Sequence, residues 1–140
     1  MPSGAIVNSV PVPRRNTISI IDDDESIGRT TKRLIESFGF RAAAFASAET
    51  FLTSCQLDET ACLIVDVRMP GMSGLELQRH LAQQGGSIPI IFITSYEDGA
   101  SRAQALEAGA VAVLGKPFND HELLETIHAA LQQRRAPNSA

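Results

Sequence analysis

The fold is decided by the stretch Ile18–Asp24, which reads ISIIDDD. There an apolar run of the kind found in β-strands ends in three consecutive carboxylates. The segment Cys62–Asp66 (CLIVD) repeats this pattern, whereas Ile90–Thr94 (IIFIT) ends in a hydroxyl and Val111–Lys116 (VAVLGK) ends in an amine. If these runs are neighbouring parallel strands, their carboxyl ends meet at one edge of a sheet, where such side chains could together hold a divalent cation.

Helical patterns alternate with the apolar runs and give the order βαβαβαβαβα. Five strands are predicted, at residues 17–21 (β1), 41–45 (β2), 61–65 (β3), 88–93 (β4) and 110–114 (β5). Five helices are predicted, from near 26 (α1), over 47–55 (α2), 74–84 (α3) and 100–108 (α4), and from 119 onward (α5). Because right-handed crossovers place helices on both faces of a parallel sheet, this order predicts a doubly wound α/β fold.

Two of these elements carry specific expectations. In α1 the apolar residues Ile27, Leu34, Ile35 and Phe38 can share one buried face. In contrast, β2 is a weak strand, because its three consecutive alanines have a poor β propensity.

Length and composition predict one compact domain and argue against several kinds of partner and site. A chain of 140 residues with 44% hydrophobic residues can bury a substantial core. Its net charge of −4 argues against direct nucleic-acid binding, which requires clustered Lys and Arg. Cys55 and Cys62 have neither zinc nor redox spacing. The sequence contains neither a run of about 18 apolar residues nor a secretory signal, so we expect no membrane contact and a cytoplasmic location.

Several motifs, in one order along the chain, resemble the receiver domain of bacterial two-component response regulators. They are Asp22-Asp23, Asp66 with the loop Met69–Gly74, Thr94, and Lys116-Pro117-Phe118. The likeness extends over residues 17–134. It implies a flavodoxin-like sheet of five parallel strands in the order 2-1-3-4-5. Residues 1–16 are then expected to be a flexible N-terminal arm, and residues 135–140 a C-terminal tail or the start of a linker.

Crowded carboxylates at a strand edge repel one another, and a hard cation with oxygen ligands relieves that repulsion. The resemblance implies that Mg²⁺ is held directly by Asp23 and Asp66, through water by Asp22, and by the backbone carbonyl of Arg68. We expect Asp24, in contrast, to cap a helix or to face solvent.

The resemblance also makes Asp66 the expected phosphoryl acceptor. A carboxylate can attack phosphorus when the charge on the transferring oxygens is neutralised, and Mg²⁺ with Lys116 would provide that neutralisation. Thr94 is expected to bind a phosphoryl oxygen and to move inward when Asp66 is modified. The peptide bond between Lys116 and Pro117 is expected to be cis.

Three positions depart from the family pattern or modify it. Val113 lies three residues before Lys116, where receivers commonly carry an aromatic residue whose rotamer changes on phosphorylation. Valine has a restricted χ1 and no polar tip, so we expect the readout to depend more on the backbone around Thr94 and on α5. Arg68 and Tyr96 flank the expected pocket, and we hypothesise that both shield the phosphoryl group from water.

The leading interpretation is a signalling module that a sensor histidine kinase phosphorylates on Asp66, with no metabolite as substrate. The resemblance implies a switched interaction surface and possible homodimerisation through the α4–β5–α5 face. No helix-turn-helix or catalytic output segment follows residue 134, so a stand-alone receiver and a piece of a longer regulator both remain open.

Two alternatives remain. Asp22-Asp23-Asp24 has the Asp-x-Asp spacing of a phosphatase of the haloacid-dehalogenase kind, in which Asp22 would be the nucleophile. That interpretation lacks a second acidic pair late in the sequence and leaves Asp66 unexplained. The other alternative is a degenerate receiver used only for binding, against which the complete set of acid, hydroxyl and lysine argues.

Overall fold

The computed structural model describes residues 16–54, 57–67, 69, 71–85, 88–95, 103–104, 106–107, 109–116 and 118–135. The strands are β1 Thr17–Ile21, β2 Arg41–Phe45, β3 Thr60–Asp66, β4 Ile90–Ser95 and β5 Ala112–Lys116. The helices are α1 Glu25–Ser37, α2 Ala48–Leu52, α3 Gly74–Gln83 and α5 Asp120–Arg135, with a 3₁₀ turn at Leu57–Glu59. Within the segment expected to form α4, residues 103, 104, 106 and 107 are helical, and the remaining positions lie outside the described residues.

The sheet has the order β2-β1-β3-β4-β5, and all four strand pairs are parallel. This confirms the predicted order 2-1-3-4-5. Chain order reverses between β1 and β3, and in such sheets ligands bind at this reversal, beyond the carboxyl ends of the strands. The two central strands β1 and β3 therefore position whatever site this fold carries.

Two hydrophobic clusters cover the two faces of the sheet, because neighbouring strand residues point to opposite faces. Leu63 packs with Phe51 of α2 and Leu77 of α3 on one face. Ile64, the next residue, packs with Ile35 of α1 and with residues of α5 on the other. The helices thus lie on both faces, as the strand and helix order predicts.

Cys62 belongs to the cluster under α1 and α5, where its side chain is fully buried and its thiol is free. Burial raises the pKa of this thiol to about 12, because the thiolate would lose its hydration there.

The buried face of α1 differs from the expected one. Gly28, Thr31 and Ile35 are its buried residues, whereas Ile27 is 41% exposed. Spacings of three and four residues place position 28, not 27, on the face of Ile35. A Cβ at position 28 would lie only 3.9 Å from the Ala44 side chain, so α1 approaches β2 closely there. The prediction for Ile27 was wrong because it counted apolar side chains and overlooked a glycine.

Local hydrogen bonds begin the helices where the sequence predicts. Asp24 Oδ1 accepts hydrogen bonds from the backbone N–H groups of residues 26 and 27, at 3.0 and 3.2 Å, which confirms the expected cap. Ser47 caps α2, and Asn119 with Glu122 forms the reciprocal box at the start of α5.

Several element boundaries differ from the expected ones. Strand β3 is one residue longer at each end, and β4 starts at Ile90 and not at 88. The helix α2 ends at Leu52 and not at 55, because the Ser54 hydroxyl donates to the Phe51 carbonyl at 2.8 Å and closes the turn. Strand β5 is shifted by two residues from its expected position: it starts at Ala112 and ends at Lys116. No helix among the described residues is long and apolar enough to cross a membrane.

Candidate functional site

Strands β1 and β3 end side by side and carry the two acidic positions to one edge. Asp22 directly follows β1, and its backbone N–H donates to the Phe45 carbonyl of β2 at 3.0 Å. Asp66 is the last residue of β3, and the next N–H, of Val67, donates to the Ile93 carbonyl of β4 at 3.0 Å. Both carboxylates therefore start from backbone that the sheet holds in place.

The structure brings three carboxylates together at this edge. Asp22, Asp23 and Asp66 each offer one oxygen, and these oxygens lie within 4.8 Å of one another. Asp22 is buried, Asp66 is partly buried and Asp23 is exposed, so the cluster opens toward solvent. Over the part of the chain that is described, no other group of His, Cys, Asp and Glu has this arrangement. A set of hard oxygen donors fits a hard divalent cation.

Lys116 adds an amine to this cluster from the end of β5. Its Nζ donates to Asp66 Oδ2 at 3.1 Å and lies 3.9 Å from Asp22 Oδ2. Three carboxylates against one ammonium leave a formal charge of −2. One divalent cation would balance that charge.

Burial raises the pKa of Asp22, whose side chain is only 5% exposed. The hydrogen bond from the Asp24 N–H to Asp22 Oδ1, at 2.9 Å, and the charge of Lys116 act in the opposite direction. The neighbouring carboxylates of Asp66 and Asp23 raise the pKa further. A bound cation would act in the same direction as Lys116 and favour the ionised form of Asp22.

Thr94 lies at the same edge on β4. In the register of β3 and β4, Asp66 pairs with Ile93, and Thr94 is the next residue along β4. On its other side Thr94 pairs with Gly115, which precedes Lys116. Its side chain is buried, with 4% exposure. The hydroxyl-bearing residue thus lies between the strand of Asp66 and the strand of Lys116.

The loop between β3 and α3, residues 67–73, is held at several points. The Gly74 N–H donates to the Val67 carbonyl at 3.2 Å, which closes the loop on itself. A Cβ at position 74 would lie 2.8 Å from the Asp66 carbonyl oxygen, so only glycine fits there. Ser73 and Glu76 form a reciprocal capping box at the start of α3. The Ser-x-x-Glu spacing is typical of such a box, although the prediction of α3 from its apolar positions did not include it.

A second contact of this loop has no sequence signal. The Met72 N–H donates to Glu49 Oε2 of α2 at 3.0 Å, across 23 positions of the chain. Nothing in the residues around Glu49 indicates such a partner.

Three expected features fall on positions that are not described. The Arg68 carbonyl, the Tyr96 side chain and the peptide bond before Pro117 lie outside the described residues, and their expected roles stay predictions.

Val113, at the position where receivers commonly carry an aromatic residue, is 8% exposed and packs in the cluster under α2 and α3.

Comparisons with protein families and with individual proteins point to the same family. The response regulator receiver domain family matches residues 18–128. Nodulation protein W of Bradyrhizobium diazoefficiens is 42% identical over 123 residues, which cover 88% of this chain and 54% of that protein. Response regulator protein TodT of Pseudomonas putida is 44% identical over 119 residues, which cover 85% of this chain and 52% of TodT. The chain therefore spans about half the length of these curated relatives.

Among the similar solved structures is one whose chain is matched over almost its whole length. The crystal structure of FixJ-N has a TM-score of 0.79 and 36% identity, and the match covers 84% of this chain and 94% of FixJ-N.

Proposed function

This chain belongs to the response regulator receiver domain family, and from that premise we propose that it accepts a phosphoryl group on Asp66 from a sensor histidine kinase. The observation that carries the proposal is the ion pair between Lys116 Nζ and Asp66 Oδ2, at 3.1 Å, beside the clustered carboxylates. Because the Lys116 ammonium lies beside the Asp66 carboxylate, it can stabilise further negative charge that is added there.

The acidic cluster fits Mg²⁺. Asp23 and Asp66 would hold the ion directly and Asp22 through water, and the family resemblance adds the carbonyl of Arg68, which lies outside the described residues. When bound, Mg²⁺ would neutralise charge on the oxygens of the transferring phosphoryl group. The formal charge of −2 in the metal-free cluster supports a requirement for a divalent ion.

The chain's own residues then perform the transfer. A carboxylate oxygen of Asp66 attacks phosphorus while the phosphorus–nitrogen bond of the kinase's phosphohistidine breaks, and the electron pair returns to the imidazole. Lys116 holds its ammonium beside the attacking carboxylate, and Thr94 offers its hydroxyl to a phosphoryl oxygen. Water later hydrolyses the aspartyl phosphate, which releases inorganic phosphate and restores the Asp66 carboxylate. The phosphorylated state therefore has a limited lifetime, and the domain turns over no metabolite.

Phosphorylation would switch the domain by adding a group with a charge of about −1.5 to −2 at neutral pH. Lys116, now paired with Asp66, would turn to the phosphoryl oxygens, and the backbone around Thr94 would follow. Because β5 borders β4 at Thr94 and α5 follows β5, the expected output is a change at the α4–β5–α5 face. Homodimerisation through that face is what the family resemblance leads us to expect.

The phosphatase alternative requires Asp22 as the nucleophile. Asp22 is buried, and one of its oxygens accepts the Asp24 N–H, whereas Asp66 is more exposed and contacts the lysine. These contacts favour Asp66 as the acceptor.

The test is phosphorylation by acetyl phosphate with and without Mg²⁺, followed by intact-mass measurement and identification of the modified residue by borohydride reduction. We expect one phosphoryl group, only with Mg²⁺, on Asp66. Asp66→Asn should abolish it, and Glu36→Gln, a change on the exposed side of α1, should not. Modification of Asp22 in place of Asp66 would favour the phosphatase alternative, and no Mg²⁺-dependent modification at all would support the degenerate receiver.

A further inference from the structure

We infer that Glu49 of α2 is a positioning residue that fixes the loop following Asp66, residues 67–73, in the geometry needed for phosphorylation. The inference rests on the proposed function, since it assigns Glu49 a role in the reaction of Asp66. It goes beyond that function because no described hydrogen bond or ion pair joins Glu49 to the carboxylates, the hydroxyl or the amine of the site.

The contact itself has two parts. The Met72 N–H donates to Glu49 Oε2 at 3.0 Å. Gly71, the preceding residue, has a φ of +75°, and a Cβ at that position would lie 3.0 Å from the same oxygen. The carboxylate thus occupies the space that a side chain at position 71 would need. The left-handed backbone of Gly71 and the carboxylate of Glu49 fit each other.

Glu49 is a firm support because its own helix is anchored. Ala48 and Phe51, on either side of it, are fully buried. Both belong to the hydrophobic cluster that also contains Val67 and Met69 of the loop, and Met72 packs against that cluster. One packed layer therefore holds both ends of the Glu49–Met72 hydrogen bond.

Apart from the Val67 N–H, which donates to the Ile93 carbonyl of β4 at the start of the loop, the other described hydrogen bonds of the loop are local. Ser73 exchanges hydrogen bonds with Glu76, and the Gly74 N–H reaches back to Val67. Among the described contacts of residues 71–73, Glu49 is the one polar partner from a distant part of the chain. A simpler role for Glu49 is stabilisation of α2, because an acidic residue in a first helical turn interacts favourably with the helix dipole. That role would leave the Met72 amide unaffected, so the two can be separated.

Loss of the contact should loosen the loop that joins Asp66 to α3. Reactions that depend on a positioned nucleophile and cation slow when the positions spread. For one lost hydrogen bond we expect phosphorylation of Asp66 by acetyl phosphate to slow roughly fivefold at limiting Mg²⁺. The Mg²⁺ concentration for half-maximal rate should rise by a similar factor.

The experiment compares the full chain with Glu49→Ala, Glu49→Gln and the control Glu36→Ala. Glu36 is an exposed glutamate of α1 paired with Lys32 at 3.8 Å, so the control removes the same charge without touching the loop. Two quantities are measured, the rate of Asp66 phosphorylation across Mg²⁺ concentrations and the hydrogen-exchange rate of the Met72 amide by NMR. Glutamine keeps an acceptor oxygen, so Glu49→Gln should stay within about twofold of the wild type in both.

The expected pattern is a slower rate and faster Met72 exchange in Glu49→Ala alone. If Glu49→Ala matches the wild type in both measurements, or if Glu49→Gln falls as far as Glu49→Ala, the positioning role is refuted. A lower melting temperature with unchanged Met72 exchange would also refute it and leave only the helix-dipole role. If the wild type itself is not phosphorylated while Met72 exchange still depends on Glu49, it is the proposed function that fails.

Discussion

Two loops carry acidic residues to the same edge of the sheet, and they are built in opposite ways. After β1 the chain passes within three residues into α1, and side chains of the loop itself satisfy its backbone: Asp22 accepts the N–H of Asp24, and Asp24 caps the helix. After β3 the chain takes seven residues to reach α3. Among its described residues, the N–H groups of Val67, Met72 and Ser73 donate to β4, α2 and α3 respectively. Apart from the Asp22 N–H, which donates to the Phe45 carbonyl of β2, the first loop is held by local hydrogen bonds, whereas the second also depends on β4 and α2.

This difference fits the tasks that we propose for the two loops. The β1 loop presents Asp22 and Asp23 as fixed ligands, for which a short self-capped turn is sufficient. The β3 loop follows Asp66, whose charge changes on phosphorylation. Its contacts come from three elements, which could transmit or resist a movement of the loop. Changes in the second loop should therefore have tertiary consequences, whereas changes in the first should cost only what one cap contributes.

The largest effect is expected at Gly74, where the β3 loop enters α3. In Gly74→Ala the new Cβ would lie 2.8 Å from both the Asp66 carbonyl oxygen and a ring carbon of Phe92. Such overpacking against backbone should lower the free energy of unfolding by about 2–3 kcal/mol, measured by urea denaturation.

The matched control is Gly28→Ala in α1, where the new Cβ would meet the Ala44 side chain at an ordinary 3.9 Å. Alanine favours the helix over glycine, so this control should be neutral or stabilising by up to about 1 kcal/mol. Equal destabilisation in both variants would remove the distinction drawn between the two loops.

A smaller effect is expected from the cap of the β1 loop. Asp24→Ala removes the acceptor of two backbone N–H groups at the start of α1 and should lower stability by about 1 kcal/mol, again by urea denaturation. Asp24→Asn keeps an acceptor and should recover most of the loss. If phosphorylation of Asp66 changed as strongly as stability did, Asp24 would belong to the reaction site and not only to the helix.

Asp22 should show a pH-dependent effect of similar or smaller size in metal-free buffer. Burial raises its pKa in the folded state, so the folded protein holds this proton more tightly than the unfolded chain does. Stability is therefore lost as pH rises from below the ordinary Asp value, 3.8, through the raised value. Asp22→Asn avoids that loss, so at pH 7 it should have a higher melting temperature than the wild type, whereas at pH 3 it should show no gain.

The same pair of proteins offers a second comparison. Added Mg²⁺ should raise the melting temperature of the wild type more than that of Asp22→Asn, because the variant has lost a cluster carboxylate. A wild type that is already as stable as Asp22→Asn at pH 7 without metal would show that Lys116 neutralises Asp22 sufficiently.

The smallest effect is expected at Ile27. Its N–H takes part in the Asp24 cap, yet its side chain is 41% exposed. Ile27→Ala should change the free energy of unfolding by less than about 0.5 kcal/mol, because little burial is lost and alanine favours the helix. A loss above 1 kcal/mol would mean that the side chain is covered in solution.

The two loops also differ in how much of each could be predicted from the sequence. The strands and the convergence of Asp22, Asp23 and Asp66 could be predicted, because apolar runs ending in carboxylates follow local rules of period and propensity. The strand order, in contrast, was predicted from the resemblance to receiver domains. The Asp24 cap was equally predictable, since its partners lie within three residues. The Glu49–Met72 bond could not be predicted, because an exposed glutamate in a first helical turn has the same sequence context whether or not a distant loop rests on it. The close approach of Gly74 to Asp66 depends on how α3 packs, which composition does not encode.

Because the Cys62 side chain is buried, the reactivity of its thiol would report how often the packing around the sheet opens. A fully covered thiol whose pKa is raised to about 12 reacts with alkylating reagents only when the sheet opens. In a Cys55→Ser background, the rate at which a thiol reagent labels Cys62 would therefore measure how often the centre of the molecule opens. The same labelling rate, taken before and after phosphorylation, would tell whether the added charge tightens the whole domain or only rearranges its rim.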